Sequence, residues 1–272
     1  MELILIYATV FLYLLSLAAY WLYFFRKTPL FEYSSLIVLG LGGLSHLCSL
    51  LYRSMILNYL PLTSSYETLS FLSFCIILII LLIQLRHKIT VLGSFILPVA
   101  LLIFIVALGM YKEIEPVKLI FRNRWFSVHL PFVFLSYANF VMSLGISIVY
   151  LIQEHQVKSH RIGKVSHALP SLAMLDSLNY KLLSLGLVFL SIGIVAGAVW
   201  EKEAFGSYWM WSPKEVWALI TALIYFSWLH LRFFKGWRGK KSAFFSIAGF
   251  LSMAFTYLGV NTLFKGFHNF IK

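Results

Sequence analysis

Long apolar runs separated by short polar stretches make up most of this chain. They can be read near 3–25, 33–57, 66–86, 89–109, 128–152, 179–200, 215–234 and 243–264. Each approaches the ~20 apolar residues that a helix needs to cross a bilayer. The pattern predicts an all-α polytopic membrane protein of about eight transmembrane helices, read as a single domain over 1–272. The first run lacks a basic leading region and a small-residue cleavage site, so it is expected to stay as a helix. The longest polar segment is 153–178, "QEHQVKSHRIGKVSHALPSLAMLDSL", with His155, His160 and His167. No Cys or carboxylate pattern completes a metal site there, which leaves a solvated basic loop.

Composition agrees: 61% of residues are hydrophobic and 12% charged, against ~25% charged in soluble domains. Lys and Arg in the short loops set the orientation. With the N-terminus outside, thirteen of the 22 basic residues fall on the inner side, among them Arg26, Lys27, Arg86, Lys88, Arg232 and Lys235. Both termini are then expected outside. A net charge of +12 follows from this topology and from contact with anionic membrane lipid. No reading motif interleaves the basic residues, so nucleic acid is not an expected partner. Cys48 and Cys75 lie within apolar runs and form no C-x-x-C, which points to packing.

One loop stands apart. Between the sixth and seventh runs stands "FGSYWMWSPKEVW", 205–217, and four of the eight tryptophans lie in 200–217. Ser212, Pro213 and Glu215 read as a capping box at a helix start. That helix presents its positive dipole end to the loop, an environment that favours an anion. Tyr208, Trp209 and Trp211 precede it, and Trp200 and Trp217 flank it. Trp and Tyr also form ordinary interfacial belts, but a belt is spread over many helix ends. A flat, apolar ligand with negative groups on one edge suits both the rings and the helix end, and haem with its propionates fits that description.

The segment resembles the tryptophan-rich WWD signature, W-G-x-Y-W-x-W-D-P-K-E-x-W, of the cytochrome c assembly superfamily. The match is Gly206, Tyr208, Trp209, Trp211, Pro213, Lys214, Glu215 and Trp217. The Pro-Lys-Glu-x-Trp ending is similar to the CcsA (ResC) branch of System II. Phe205 stands where the family has Trp, and Ser212 where it has Asp. Ser caps a helix as well as Asp does but carries no charge. Similar context extends to "GIVAGAVWEKEAFG", "SSYETLSFLSF" and "GVNTLFKGFHNF". The resemblance implies a haem-handling protein of cytochrome c biogenesis, in a bacterial inner membrane or a thylakoid membrane. It would carry haem b to the external face and present it for thioether attachment to the Cys-x-x-Cys-His of apocytochrome c. It would work beside a CcsB (ResB) type membrane partner, as the haem-handling subunit of a synthase. Two other readings stay open: a HemX-type haem-linked regulator, and a transporter of another solute.

Histidines near a span invite a functional reading, and neutral imidazole is a usual axial ligand to haem iron. His129, before the fifth run, and His268, after the eighth, flank the signature on the same side, each also readable as an interfacial histidine. The resemblance makes them the external iron ligands. Arg122 and Arg124 are candidates for propionate pairing or for anchoring to headgroups. His230 lies 18 residues past Ser212, roughly 27 Å along a helix, near the inner face. It matches the family's transmembrane histidine, an inner iron ligand whose second ligand comes from the partner. A hydrogen-bonded core histidine is the other reading. His46, near mid-bilayer in the second run, reads as a packing or relay residue. No residue is an obvious acid or base for the chemistry.

Overall fold

The structure, a computed structural model, describes residues 1–113, 121–160 and 169–263. Eight helices long and apolar enough to cross a membrane follow one another, and the described residues contain no strand. The chain divides into two compact units, Met1–Pro116 and Val117–Lys272.

The first unit holds α1 (Glu2–Arg26), α2 (Pro29–Leu57), α3 (Ser65–His87) and α4 (Val91–Gly109). Start signals are local. Ser64 and Glu67 form a reciprocal capping box on α3, and Pro29 opens α2, where its missing N–H costs nothing. Lys27, Asn58 and Lys88 close the first three helices in left-handed conformation. Polar side chains cross-link the spans. Ser16 donates to the Ser35 carbonyl, Ser73 to that of Ala100 and Ser94 to that of Tyr20. Buried Tyr20 donates to Gln84.

At the N-terminal end of α1, Arg53 is only 3% exposed. Its Nε bonds Glu67 at 2.8 Å, one Nη bonds Glu2 at 3.0 Å and the other bonds the Lys112 carbonyl at 2.9 Å. Tyr66 and Tyr111 donate to Glu2 and lie against the guanidinium. Halfway along, His46 is 1% exposed. Its Nδ1 meets the Tyr13 hydroxyl at 3.0 Å and its Nε2 meets the Ser70 hydroxyl at 2.8 Å. This agrees with the packing role read from its depth.

The second unit holds α5 (Arg124–Lys158), α6 (Leu172–Phe205), α7 (Pro213–Lys235) and α8 (Lys240–Ala254). A π turn, Phe255–Gly259, continues α8 into Val260–Leu263. α5 and α6 run 35 and 34 residues, well past the apolar windows at 128–152 and 179–200. At the N-terminal ends the reason is capping: the Asn123 side chain accepts from Trp125 N–H, and Ser171 accepts from Met174 N–H. Polar turns outside the apolar windows thereby become helical. Gly193 and Gly197 let the two helices approach closely. A Cβ on Gly193 would lie 2.8 Å from Val133, and one on Gly197 2.7 Å from the His129 ring. This is the small-xxx-small mode of membrane helix pairing. Buried Ser143, Asn179, Ser242 and Ser246 form one hydrogen-bonded cluster among α5, α6 and α8.

Candidate functional site: the aromatic loop and the histidines of the second unit

The aromatic loop leaves α6 through Gly206, left-handed at φ 85°, whose N–H closes the helix on the Lys202 carbonyl. It enters α7 through Ser212. The Ser212 Oγ accepts from Glu215 N–H, and the Glu215 carboxylate accepts from the N–H groups of Ser212 (2.5 Å) and Met210 (3.0 Å). Glu201, at the end of α6, interacts with the same carboxyl group. The capping box expected from Ser-Pro-Lys-Glu is therefore present, but it alters one expectation. The positive end of α7 already faces its own carboxylate, so a ligand anion finds some of those donors taken.

The rings divide into two groups. Trp211, left-handed at φ 57°, is 72% exposed and Tyr208 is 57% exposed. Such a backbone costs an L-residue roughly 1–2 kcal/mol, and strain of this kind gathers at working sites. Trp209 meets Trp211 edge to face, centroids 6.0 Å apart, and the Lys202 ammonium lies 5.5 Å from the Tyr208 ring. The Trp209 indole N–H is buried without an acceptor among the described residues. The other rings are packed away. Trp200 sits in a floor with Phe126 and Phe205, at 5.0 and 5.8 Å, and Trp217 packs on Phe255 of the π turn at 4.4 Å.

His129 lies inside α5, in its second turn, rather than ahead of the helix. Its Nδ1 is 2.7 Å from the Gly193 carbonyl oxygen. A carbonyl can only accept, so Nδ1 carries the hydrogen. A neutral ring then keeps its lone pair on Nε2, which has no hydrogen-bond partner among the described residues. Fixing one nitrogen on a backbone carbonyl is how ligating histidines are usually oriented. The charge of Lys214, the first residue after Pro213, acts on His129, which ties this imidazole to the entry of α7.

Arg122 and Arg124 are exposed and flank the cap residue Asn123. The Asn123 Nδ2 donates to Glu203 of α6 at 2.6 Å. The arginines therefore share one end of the unit with the aromatic loop, as expected. His268 lies outside the described residues. His230 is far along α7 and exposed, with its ring on Phe234 at 4.5 Å and beside an open groove lined by Phe226, Ser227 and Leu231. Neither of its nitrogens is hydrogen-bonded among the described residues, so the core-histidine reading does not apply. The sequence reading missed two features: the Gly193 carbonyl behind His129, and the pairing of Asp176 with Arg232. The Gly-x-x-x-Gly of "GIVAG" was a signal for the first; a carboxylate opening an apolar run was one for the second.

Comparison with known proteins identifies the family. The family profile described as Cytochrome C assembly protein matches residues 62–268. The chain is 37% identical over 241 residues to a cytochrome c biogenesis protein CcsA of Chlamydomonas reinhardtii, covering 86% of this chain and 67% of that one. It is 33% identical to CcsA of Porphyra purpurea, with 94% and 93% covered, and 30% identical to CcsA of Guillardia theta, with 94% and 92% covered. Among solved structures, Cytochrome c Heme Lyase CcmF superposes with a TM-score of 0.67 at 16% identity, over 94% of this chain and 46% of CcmF; that likeness concerns the fold. The chain belongs to the cytochrome c assembly family, as a CcsA-type multi-pass membrane protein of cytochrome c biogenesis.

Proposed function

We propose that the chain binds haem b at the aromatic loop, with His129 as an axial ligand, and presents it there for attachment to apocytochrome c. The observation that carries this reading is the hydrogen bond from His129 Nδ1 to the Gly193 carbonyl, which leaves Nε2 as the coordinating atom. The surroundings fit the cargo. Exposed Trp211 and Tyr208 offer flat apolar faces, and the unsatisfied Trp209 N–H is a donor for a propionate. Arg122 and Arg124 stand at the same end, and guanidinium pairs with carboxylate. His268 is the second external ligand in this reading.

The bond to be made adds a substrate thiol across a porphyrin vinyl group. S–H and the vinyl π bond are lost, S–C and C–H bonds are formed, and no oxidant is consumed. The role of this chain is positioning: it holds the iron with imidazole, lays the ring on the indoles and leaves the vinyl edge to the incoming thiols. His230, exposed toward the inner end of α7, supports an inner station where haem is received. A CcsB-type partner supplies the other ligand there, in a bacterial inner membrane or a thylakoid membrane.

The test is His129→Ala in the full-length protein. Bound haem and c-type cytochromes should both fall, and exogenous imidazole should restore part of each. A variant that keeps its haem spectrum and still matures cytochrome c removes the reading. Altered haem precursor levels with normal cytochromes would favour a HemX-type regulator instead.

A further inference from the structure

We infer that the Asp176–Arg232 pair is the positioning element that aims His230 out of the second unit; this rests on the reading of His230 as an iron ligand. In an α-helix, residues two apart point about 200° away from one another. Both such neighbours of His230 are held inward. Trp228 is fully buried and its Nε1 donates to Ser242 of α8 at 2.8 Å. Arg232 grips Asp176 of α6 through two parallel bonds, Nη1–Oδ1 at 3.1 Å and Nη2–Oδ2 at 2.7 Å. Its guanidinium also lies 4.7 Å from the Tyr180 ring and 6.0 Å from that of Trp228.

The forked geometry matters. Two parallel bonds with a planar stack fix orientation as well as distance, which a single point contact does not. Asp176 is itself fixed, because its Oδ1 accepts the Gly239 N–H at 2.7 Å, which locks the turn joining α7 to α8. Gly239 is left-handed at φ 61°, and a Cβ there would meet the Tyr150 hydroxyl at 2.4 Å. The inner end of α7 is therefore clamped from α6 and α8. What remains on the opposite side is His230, with exposed Phe226, Ser227 and Phe234 around it. Residues that orient a metal-ligating histidine without touching the metal are typically worth ~10–100-fold in affinity.

The experiment is a titration of the full-length chain in detergent with ferric haem b. A His129→Ala, His268→Ala background is used, so that the remaining His-ligated spectrum reports on His230. Arg232→Lys keeps the charge but loses the fork, and Asp176→Asn keeps the shape but loses the charge. Each should weaken binding by about tenfold and shift the spectrum toward that of added His230→Ala. Asp176→Glu should recover part of the loss. Binding of Arg232→Lys equal to its parent overturns the inference, and so does a loss matched by an equal fall in the thermal stability of the haem-free variant, which marks general unfolding. If His230→Ala itself binds as its parent does, the reading of His230 as a ligand fails first.

Discussion

His46 in the first unit and His129 in the second are both spanning-helix histidines with opposite surroundings. His46 is closed on both nitrogens by Tyr13 and Ser70, amid Phe74 and Phe104 rings. His129 has one nitrogen fixed by a backbone carbonyl and the other without a partner among the described residues. Charged groups differ in burial. Arg53 is enclosed by two carboxylates, a carbonyl and two tyrosines, whereas Arg122 and Arg124 stand exposed. The difference separates a histidine with both nitrogens hydrogen-bonded from one that keeps a nitrogen for a ligand. Burial with full hydrogen bonding marks a cross-link between helices.

That contrast can be broken at several points. The largest effect belongs to Arg53→Met, which leaves Glu2 and Glu67 buried without their cation. Removing one partner of a buried pair costs about 3–5 kcal/mol, readable as a drop in thermal stability of the solubilised protein. A loss below about 1 kcal/mol would mean that the closed cluster does not hold the first unit together.

His46→Ala comes next, at about 2–4 kcal/mol for a cavity and orphaned hydroxyls, with haem titration unchanged. His129→Ala should show the reverse: about 1 kcal/mol in stability but on the order of 100-fold in haem affinity. Identical profiles for the two variants would erase the distinction. Gly197→Ala is subtler. Its new Cβ displaces the His129 ring, and an approximately tenfold weaker haem complex with normal protein yield is expected. The smallest effect is at Trp211. Trp211→Gly relieves a left-handed residue and should gain about 1 kcal/mol while weakening haem retention. Trp211→Ala should weaken retention without that gain.

Hydropathy made all eight spans legible because burial in lipid demands long apolar runs. Their ends were less so: Asn123 and Ser171 extend α5 and α6 through polar turns that carry no apolar signal. The capping box was readable from Ser212 and Glu215, since its two bonds lie within one turn. That Glu215 would also take the Met210 N–H, and meet Glu201, depends on how the loop folds back. The Gly193 carbonyl behind His129 was invisible for a related reason: it requires the register of α5 against α6. Arg53 and Glu67 interrupt apolar stretches, which was the available sign of their cluster. Crowded tryptophans pointed to the loop aromatics and nearness to a span to His129 and His230, and the resemblance gave them roles; the surroundings of the two histidines come from packing.

The lengths of α5 and α6 have a bearing on how a water-soluble acceptor is met. At 1.5 Å per residue each is about 50 Å long, some 20 Å more than the oily slab of a bilayer. His129 lies only five residues, roughly 8 Å, into α5, near the end that carries the aromatic loop. For the haem site proposed above, this places the iron toward one end of two long helices, where a polypeptide arriving from the aqueous phase would meet it.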